Sequence, residues 1–319
     1  MSETTVKVEL DGQYRALRDL AGLVDRSERA KLVVTGSESV DYLQGQISND
    51  VEAVAVGGGC YAALLDRKGH MRADLRVLRV ADDEMWLDTE PIAGSAVQRH
   101  LEMYKIGRDV EIADEAADLA IVSVIGPAAA ELTGAGPLTP EYAHREIAIE
   151  GARARVVATD VGIDLIIAAT DAEPVRRALV EAGAVEVSEA AAEILRVESG
   201  RPRFGAEMSE ATIPAEAGID ERAVSFTKGC YIGQETVARL HYKGKPNRHL
   251  RGLRLDAPAS SGEAIGLGDR EVGKVGTACV SPALGPIALA IVRREAEPGA
   301  RVTVGGSGAE AEVVELPFS

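Results

Sequence analysis

Lys228-Gly229-Cys230-Tyr231-Ile232-Gly233-Gln234-Glu235, running on through Thr236-Val237-Ala238 to Arg239, is the stretch on which the fold and the chemistry turn. It gathers a thiol, a carboxylate, an amide and two cations into twelve residues, with Gly229 and Gly233 around the cysteine. Glycine permits positive φ and close approach of another group, so a cysteine between glycines is expected to be presented rather than packed. Lys228 and Arg239 are the candidate cations. Positive charge nearby pushes a thiol toward thiolate, the form that attacks electrophiles and binds metals. The plain alternative is a small buried hydrophobe with no chemistry, the commonest fate of a lone cysteine.

The string resembles the signature of the YgfZ family of folate-binding proteins, relatives of the aminomethyltransferase (T-protein) of the glycine cleavage system. That family's pattern, Lys-Gly-Cys-aromatic-x-Gly-Gln-Glu-x-x-small-Arg, is filled at every specified position. The likeness reaches nearly the whole chain. Leu43-Gln44-Gly45-Gln46-Ile47-Ser48-Asn49-Asp50-Val51 resembles an early helix-end motif shared by YgfZ-type proteins and T-proteins. Ser281-Pro282, Ile287-Ala288-Leu289-Ala290 and Leu316-Pro317-Phe318 resemble their C-terminal β-domain. The resemblance implies an α+β fold: a folate-binding core of two intertwined α+β subdomains with antiparallel sheets, plus a small C-terminal β-barrel, around a central hole. Residues 1–243 are then the folate-binding domain and 244–319 the barrel.

Composition sets the frame for that expectation. A chain of 319 residues with 46% hydrophobic residues is long and apolar enough for two or three folded domains. The N-terminus reads as polar and mixed, and the apolar runs are far shorter than the ~20 residues of a membrane span, so a cytoplasmic protein without a membrane segment is expected. Cys60, Cys230 and Cys279 are widely separated and odd in number, which suits a reducing compartment. With neither a Cys-x-x-Cys pair nor two histidines at helical spacing, no metal site within the chain is expected. The net charge of −16 disfavours nucleic acid as a partner. One window runs against this: Arg239, Lys243, Lys245, Arg248, Arg251 and Arg254 occur where no acidic residue intervenes. It reads either as a solvated loop entering a strand or as a cationic patch for an anionic ligand, such as a folate's glutamate tail.

In chain order, apolar spacing predicts a helix over 14–30, a strand over 31–35, and a helix after Ser37. A three-strand antiparallel meander follows over 60–65, 71–80 and 85–89, then a helix over 93–106. A second unit of similar grammar has strands over 120–125, 152–159 and 165–169, with helices over 173–182 and 191–197. Beyond Arg239, short strands at 252–255, 271–281, 287–293, 301–304 and 311–316 between Gly- and Pro-rich turns predict the barrel. No Walker loop occurs, nor a G-x-G-x-x-G between strand and helix, so ATP and dinucleotides are not expected ligands.

Three further residues carry over from the resemblance. Asp74 matches the aspartate that in T-proteins faces the reactive nitrogens of tetrahydrofolate. Tyr61 matches an aromatic residue of the pterin site, and Glu198 the glutamate that hydrogen-bonds the pterin. A carboxylate accepts two hydrogen bonds in a plane and suits an amino-pyrimidine edge. This chain departs from T-proteins in three places. It has Ala73-Asp74 where they have paired aspartates, it has Thr159-Asp160-Val161-Gly162-Ile163-Asp164 in place of their Thr-Gly-Tyr-Thr-Gly-Glu loop, and it carries Cys230.

The departures favour the YgfZ-like branch. The expected function is then a tetrahydrofolate-dependent factor that assists assembly or repair of iron–sulfur clusters in four-iron client proteins, with Cys230 as the key thiol. Such clusters take about four thiolate ligands, so a client or second thiol would have to supply the rest. The alternative is an aminomethyltransferase, whose partner would be a lipoyl-bearing carrier protein. A further alternative is a folate-binding regulator of tRNA modification, supported in the sequence only by the basic run.

Overall fold

The computed structural model describes residues 3–306 and 308–318. The chain divides into two compact units, one of Met1–Leu64, Ala73–Ala192 and Thr227–Tyr231, the other of Leu65–Arg72, Glu193–Phe226 and Ile232–Ser319.

The first unit opens with α1 (Glu3–Asp19), β1 (Gly22–Asp25), β2 (Ala30–Thr35), α2 (Ser39–Gln46), β3 (Gly59–Leu65), β4 (Met71–Ala81), β5 (Glu84–Thr89), α3 (Pro91–Tyr104) and β6 (Glu111–Asp114). The expected meander is present, and β2 and β6 extend it to five strands in the order β3-β4-β5-β2-β6. Next come β7 (Leu119–Ile125), α4 (Ala129–Leu132), β8 (His144–Ile149), β9 (Ala152–Ala158), β10 (Gly162–Ala168), α5 (Ala172–Glu181) and β11 (Val185–Glu186). They form a six-stranded sheet, β11-β1-β7-β10-β9-β8, antiparallel except where β1 meets β11. Leu78 of the first sheet packs with Ile121, Val157 and Ile166 of the second.

The helix expected over 14–30 ends at Asp19 instead. Val24 leaves the helical face and enters β1 with Leu23, where the two pair with Ser123 and Val124 of β7 and become buried. Tertiary pairing overrides a local period of 3.6 when the same apolar residues can fill a sheet position. β6, β8 and β11 also went unread. They lie at or next to the sheet edges, where exposed residues such as Glu111, Arg145 and Glu186 interrupt the apolar pattern.

The second unit contains α6 (Glu189–Glu198) from Glu193 onward, then α7 (Asp220–Ala223), α8 (Gln234–Lys243) and six strands: β12 (Arg248–Leu255), β13 (Ala264–Leu267), β14 (Arg270–Ser281), β15 (Gly285–Arg293), β16 (Arg301–Val304) and β17 (Ala309–Val314). The strands close into the expected barrel, in the order β12-β15-β14-β13-β16-β17. Closure leaves no free edge and buries Leu253, Ile265, Val275, Ala288, Ala290, Val292 and Val313 in one core. The sixth strand, β13, hides in the sequence because Gly266 and the turn at Gly268 read as loop.

The basic run is divided between elements. Arg239 and Lys243 lie on α8, while Arg248, Arg251 and Arg254 lie on β12. Arg251 pairs with Glu315 at 3.5 Å, and Arg254 lies over the Phe318 ring. Among the described residues, no helix is long and apolar enough to cross a membrane.

Candidate functional site

The early motif folds into a hydrogen-bonded knot at the end of α2. The Gln44 side-chain oxygen accepts from the Val51 amide at 2.8 Å, and its nitrogen donates to Asp50 at 3.0 Å. Ser48 Oγ accepts from the Ala63 amide of β3 at 2.8 Å, while the Asn49 side chain donates to the Tyr61 carbonyl at 2.7 Å. Lys228 completes the knot. Its ammonium donates to the carbonyls of Gln44, Ile47 and Asn49 at 2.6, 2.8 and 2.7 Å. The residue is only 8% exposed, and burial pulls its pKa down to about 8 against the opposing charges of Asp50, Cys60 and Glu52. Three carbonyls in place match the three donors of an ammonium, and they satisfy groups a helix end leaves orphaned. Lys228 therefore anchors the segment that carries the cysteine.

Cys230, two residues on, is exposed, and it is a free thiol. The other cysteines differ: burial pushes the Cys60 and Cys279 thiols up to about 12. The flanking glycines also differ from each other. Gly229 has open space where a Cβ would stand, whereas Gly233 has φ +86° and begins α8, and a Cβ there would lie 2.5 Å from the Asp66 carbonyl. Only Gly233 is dictated by backbone geometry. Arg239 is exposed on α8.

Tyr61 and Asp74 come together on neighbouring strands β3 and β4, with the Tyr61 hydroxyl donating to Asp74 Oδ2 at 2.8 Å. The Asp74 backbone carbonyl accepts from Thr89 Oγ1 at 2.6 Å, which ties β4 to β5. Burial raises the Asp74 pKa, opposed by the Tyr61 hydrogen bond and the Arg29 charge, and reinforced by Glu90. Arg29 and Glu90 were not singled out in the sequence. Their signal is pairing register, since Ala30 faces Thr89 across β2 and β5 and brings the two side chains into an ion pair.

Behind them lies a buried charge ladder. Asp88 takes Arg29 at 2.8 Å on one oxygen and Arg76 at 2.5 Å on the other. Arg76 reaches on to Asp164 of β10, which also accepts from Ser123 Oγ at 2.6 Å.

Glu198 ends α6 and accepts from Ser281 Oγ at 2.5 Å, while its backbone carbonyl accepts from the Phe318 amide at 3.2 Å. Ser281 Oγ in turn accepts from the Ala283 and Leu284 amides at 3.0 and 2.9 Å. A helix-end carboxylate is thus held by the turn after β14. Among the described residues, no group of three or more His, Cys, Asp and Glu side chains could hold a metal ion.

Comparison with known proteins fits this architecture. Residues 3–228 match the GCVT N-terminal domain, and residues 248–319 match the glycine cleavage T-protein C-terminal barrel domain. The chain belongs to the glycine cleavage T-protein family. An aminomethyltransferase of Saccharopolyspora erythraea is 30% identical, with 96% of this chain and 89% of the relative covered. The aminomethyltransferase of Thermus thermophilus is likewise 30% identical, over 96% and 89%. The crystal structure of the glycine cleavage system aminomethyltransferase T from Bartonella henselae shares the fold, with a TM-score of 0.87 at 22% identity, covering 97% of this chain and 89% of that one. Family aminomethyltransferases use tetrahydrofolate. These matches carry the T-protein relationship and do not single out the YgfZ branch, which rests on the motif from Lys228 to Arg239.

The residues of the first unit fit a pterin-type ligand. Asp74, a half-buried residue, offers a carboxyl oriented by Tyr61, and a carboxylate has lone pairs beyond the one Tyr61 fills.

Proposed function

We propose that the chain binds tetrahydrofolate through Tyr61 and Asp74 of the first unit and acts in aminomethyl transfer to it. The observation that carries this reading is the Tyr61–Asp74 pair at 2.8 Å, inside a chain about 30% identical to aminomethyltransferases over most of its length. The relatives favour this over the cluster-repair function expected from the motif.

Tetrahydrofolate supplies, when bound, the nitrogens that accept a one-carbon unit. Asp74 accepts a hydrogen bond from a ligand N–H group. Tyr61 fixes the carboxyl's rotation, so the free lone pairs keep one direction. Thr89 fixes the backbone of Asp74, and Lys228 with Asn49 fixes the strand that carries Tyr61. A lipoyl-bearing carrier protein is the partner this reaction requires.

One observation favours a second reading: Cys230 is exposed, while the other two thiols are partly buried. In that reading the chain is a folate-binding protein that assists iron–sulfur clients through Cys230. Lys228 then holds the presenting segment, and Arg239 enters as an exposed cation of α8.

The test is formation of methylene-tetrahydrofolate by the purified protein with an aminomethyl-loaded lipoyl carrier, alongside calorimetric tetrahydrofolate binding. Turnover that Asp74→Asn abolishes and Cys230→Ala leaves intact supports the first reading. Folate binding without turnover, together with four-iron enzyme activity in a deletion strain that only Cys230 restores, supports the second. Absence of folate binding overturns both.

A further inference from the structure

Asp74 lies beside an ordered row of charges across the five-stranded sheet. Side chains two residues apart on a strand share a face, so Asp74 and Arg76 of β4 point the same way. Arg76 faces Asp88 of β5, and Asp88 faces Lys31 of β2, so one row of charges reads Arg76, Asp88, Lys31. The neighbouring row, toward the strand ends, contains Asp74, Glu90 and Arg29, with the Tyr61 hydroxyl of β3 donating to Asp74. Arg29 links the two rows: its Nε and Nη2 lie 2.8 Å from Asp88 Oδ1, and its Nη1 donates to Glu90. The Arg29 side chain is 22% exposed and that of Glu90 17%, so both charges are largely out of water. A guanidinium held at three nitrogens cannot swing away, and its charge acts on Asp74 from a fixed position.

We propose that Arg29 and Glu90 are opposed positioning residues of the folate carboxyl: Arg29, clamped by Asp88 and Glu90, sets a fixed positive charge in the cross-strand row that Asp74 shares, and Glu90 sets a negative charge against it. This rests on the reading of Asp74 as the folate carboxyl. The physical case is direct. Burial alone drives a carboxyl toward its neutral form, which can donate a single hydrogen bond. Two influences near Asp74 favour the ionised form, the Tyr61 hydroxyl and Arg29, and one disfavours it, Glu90. Asp88 is not available to do Glu90's part, because Arg29 and Arg76 together hold it well below the usual carboxylate range despite burial. Arg76 is itself occupied by Asp88 and Asp164, and Lys31 by the Ser27 and Arg29 carbonyls. The site's protonation is therefore adjusted by a pair that never needs to touch the ligand.

The experiment follows the Asp74 carboxyl by carbon NMR across pH in the ligand-free protein, in wild type, Arg29→Met, Arg29→Lys and Glu90→Gln, and repeats calorimetric tetrahydrofolate binding over the same range. Arg29→Met should raise the Asp74 midpoint by about one pH unit or more, as expected for loss of a close opposite charge. Glu90→Gln should lower it, and Arg29→Lys should keep most of the wild-type value. The pH at which folate affinity falls should move with the midpoint in each variant. Midpoints that stay put, or move in the same direction in Arg29→Met and Glu90→Gln, overturn the inference. Glu90→Gln carries the test if Arg29→Met fails to fold. Opposed shifts without any folate binding in wild type would leave the charge pair standing and remove the folate reading instead.

Discussion

Replacing Lys228 with Met separates the two roles packed into one motif. The ammonium makes three charge-assisted bonds to carbonyls at the end of α2, each worth roughly 1.5–2 kcal/mol, or about 5 kcal/mol in all. Burial offsets part of this. A pKa pulled from 10.5 to about 8 corresponds to roughly 3 kcal/mol already charged against the wild type, which Met would return. The three carbonyls left behind cost about 1 kcal/mol each where water does not reach them. The net loss should be about 2–5 kcal/mol, the upper end if all three carbonyls stay dry, or roughly 4–20 °C in Tm for a unit of about 200 residues.

Calorimetry and urea unfolding read the loss. Hydrogen exchange should place it locally, with faster exchange at the Val51 and Ala63 amides that close the same knot. The pH dependence has a definite sign. The folded pKa is depressed, so its contribution is fully present above about 10.5 and lost as pH falls through about 8. The gap between wild type and Lys228→Met should therefore widen from pH 8 upward. A Tm within about 2 °C of wild type, with unchanged exchange at Val51, would refute the anchoring role.

Cys230→Ala should change stability by less than about 0.5 kcal/mol, because the thiol is exposed; urea midpoints check this. Gly233→Ala should cost more than 1 kcal/mol, since φ is +86° and the Asp66 carbonyl stands 2.5 Å from the new Cβ; a thermal melt suffices. Asp74→Asn should weaken tetrahydrofolate binding by roughly 10- to 100-fold, the value of one charge-assisted hydrogen bond, read by calorimetry. His144 is buried, with Arg155 donating to its Nδ1, and burial pulls its pKa from 6.5 to about 4. Its stabilising contribution is complete above pH 6.5 and is lost as pH falls toward 4, up to about 3 kcal/mol. His144→Gln should accordingly flatten that part of the acid-unfolding curve.

Much of the α+β plan was legible in the sequence, because its cues are local. The meander announced itself through alternating residues and the turn at Arg67-Lys68-Gly69, and the barrel through short apolar strands between glycines. β1 was not legible, since Leu23 and Val24 fit a helix as well as a strand until β7 is present to pair with them. In the site, the resemblance to the family pointed to Tyr61, Asp74 and Glu198, while residue types and spacing marked the motif from Lys228 to Arg239. Arg29 and Glu90 escaped, being 61 residues apart and joined only by the register of β2 on β5. The same limit applies to Lys228, where the chain brings Gln44, Ile47 and Asn49 around the ammonium. Sequence by itself determined the α+β class, the meander and the barrel, because those follow from residue type and short-range period. Tertiary structure alone decided which charges face one another, because burial and cross-strand register set the partner of a buried ion, and a buried ion takes the nearest acceptors wherever they lie in the chain.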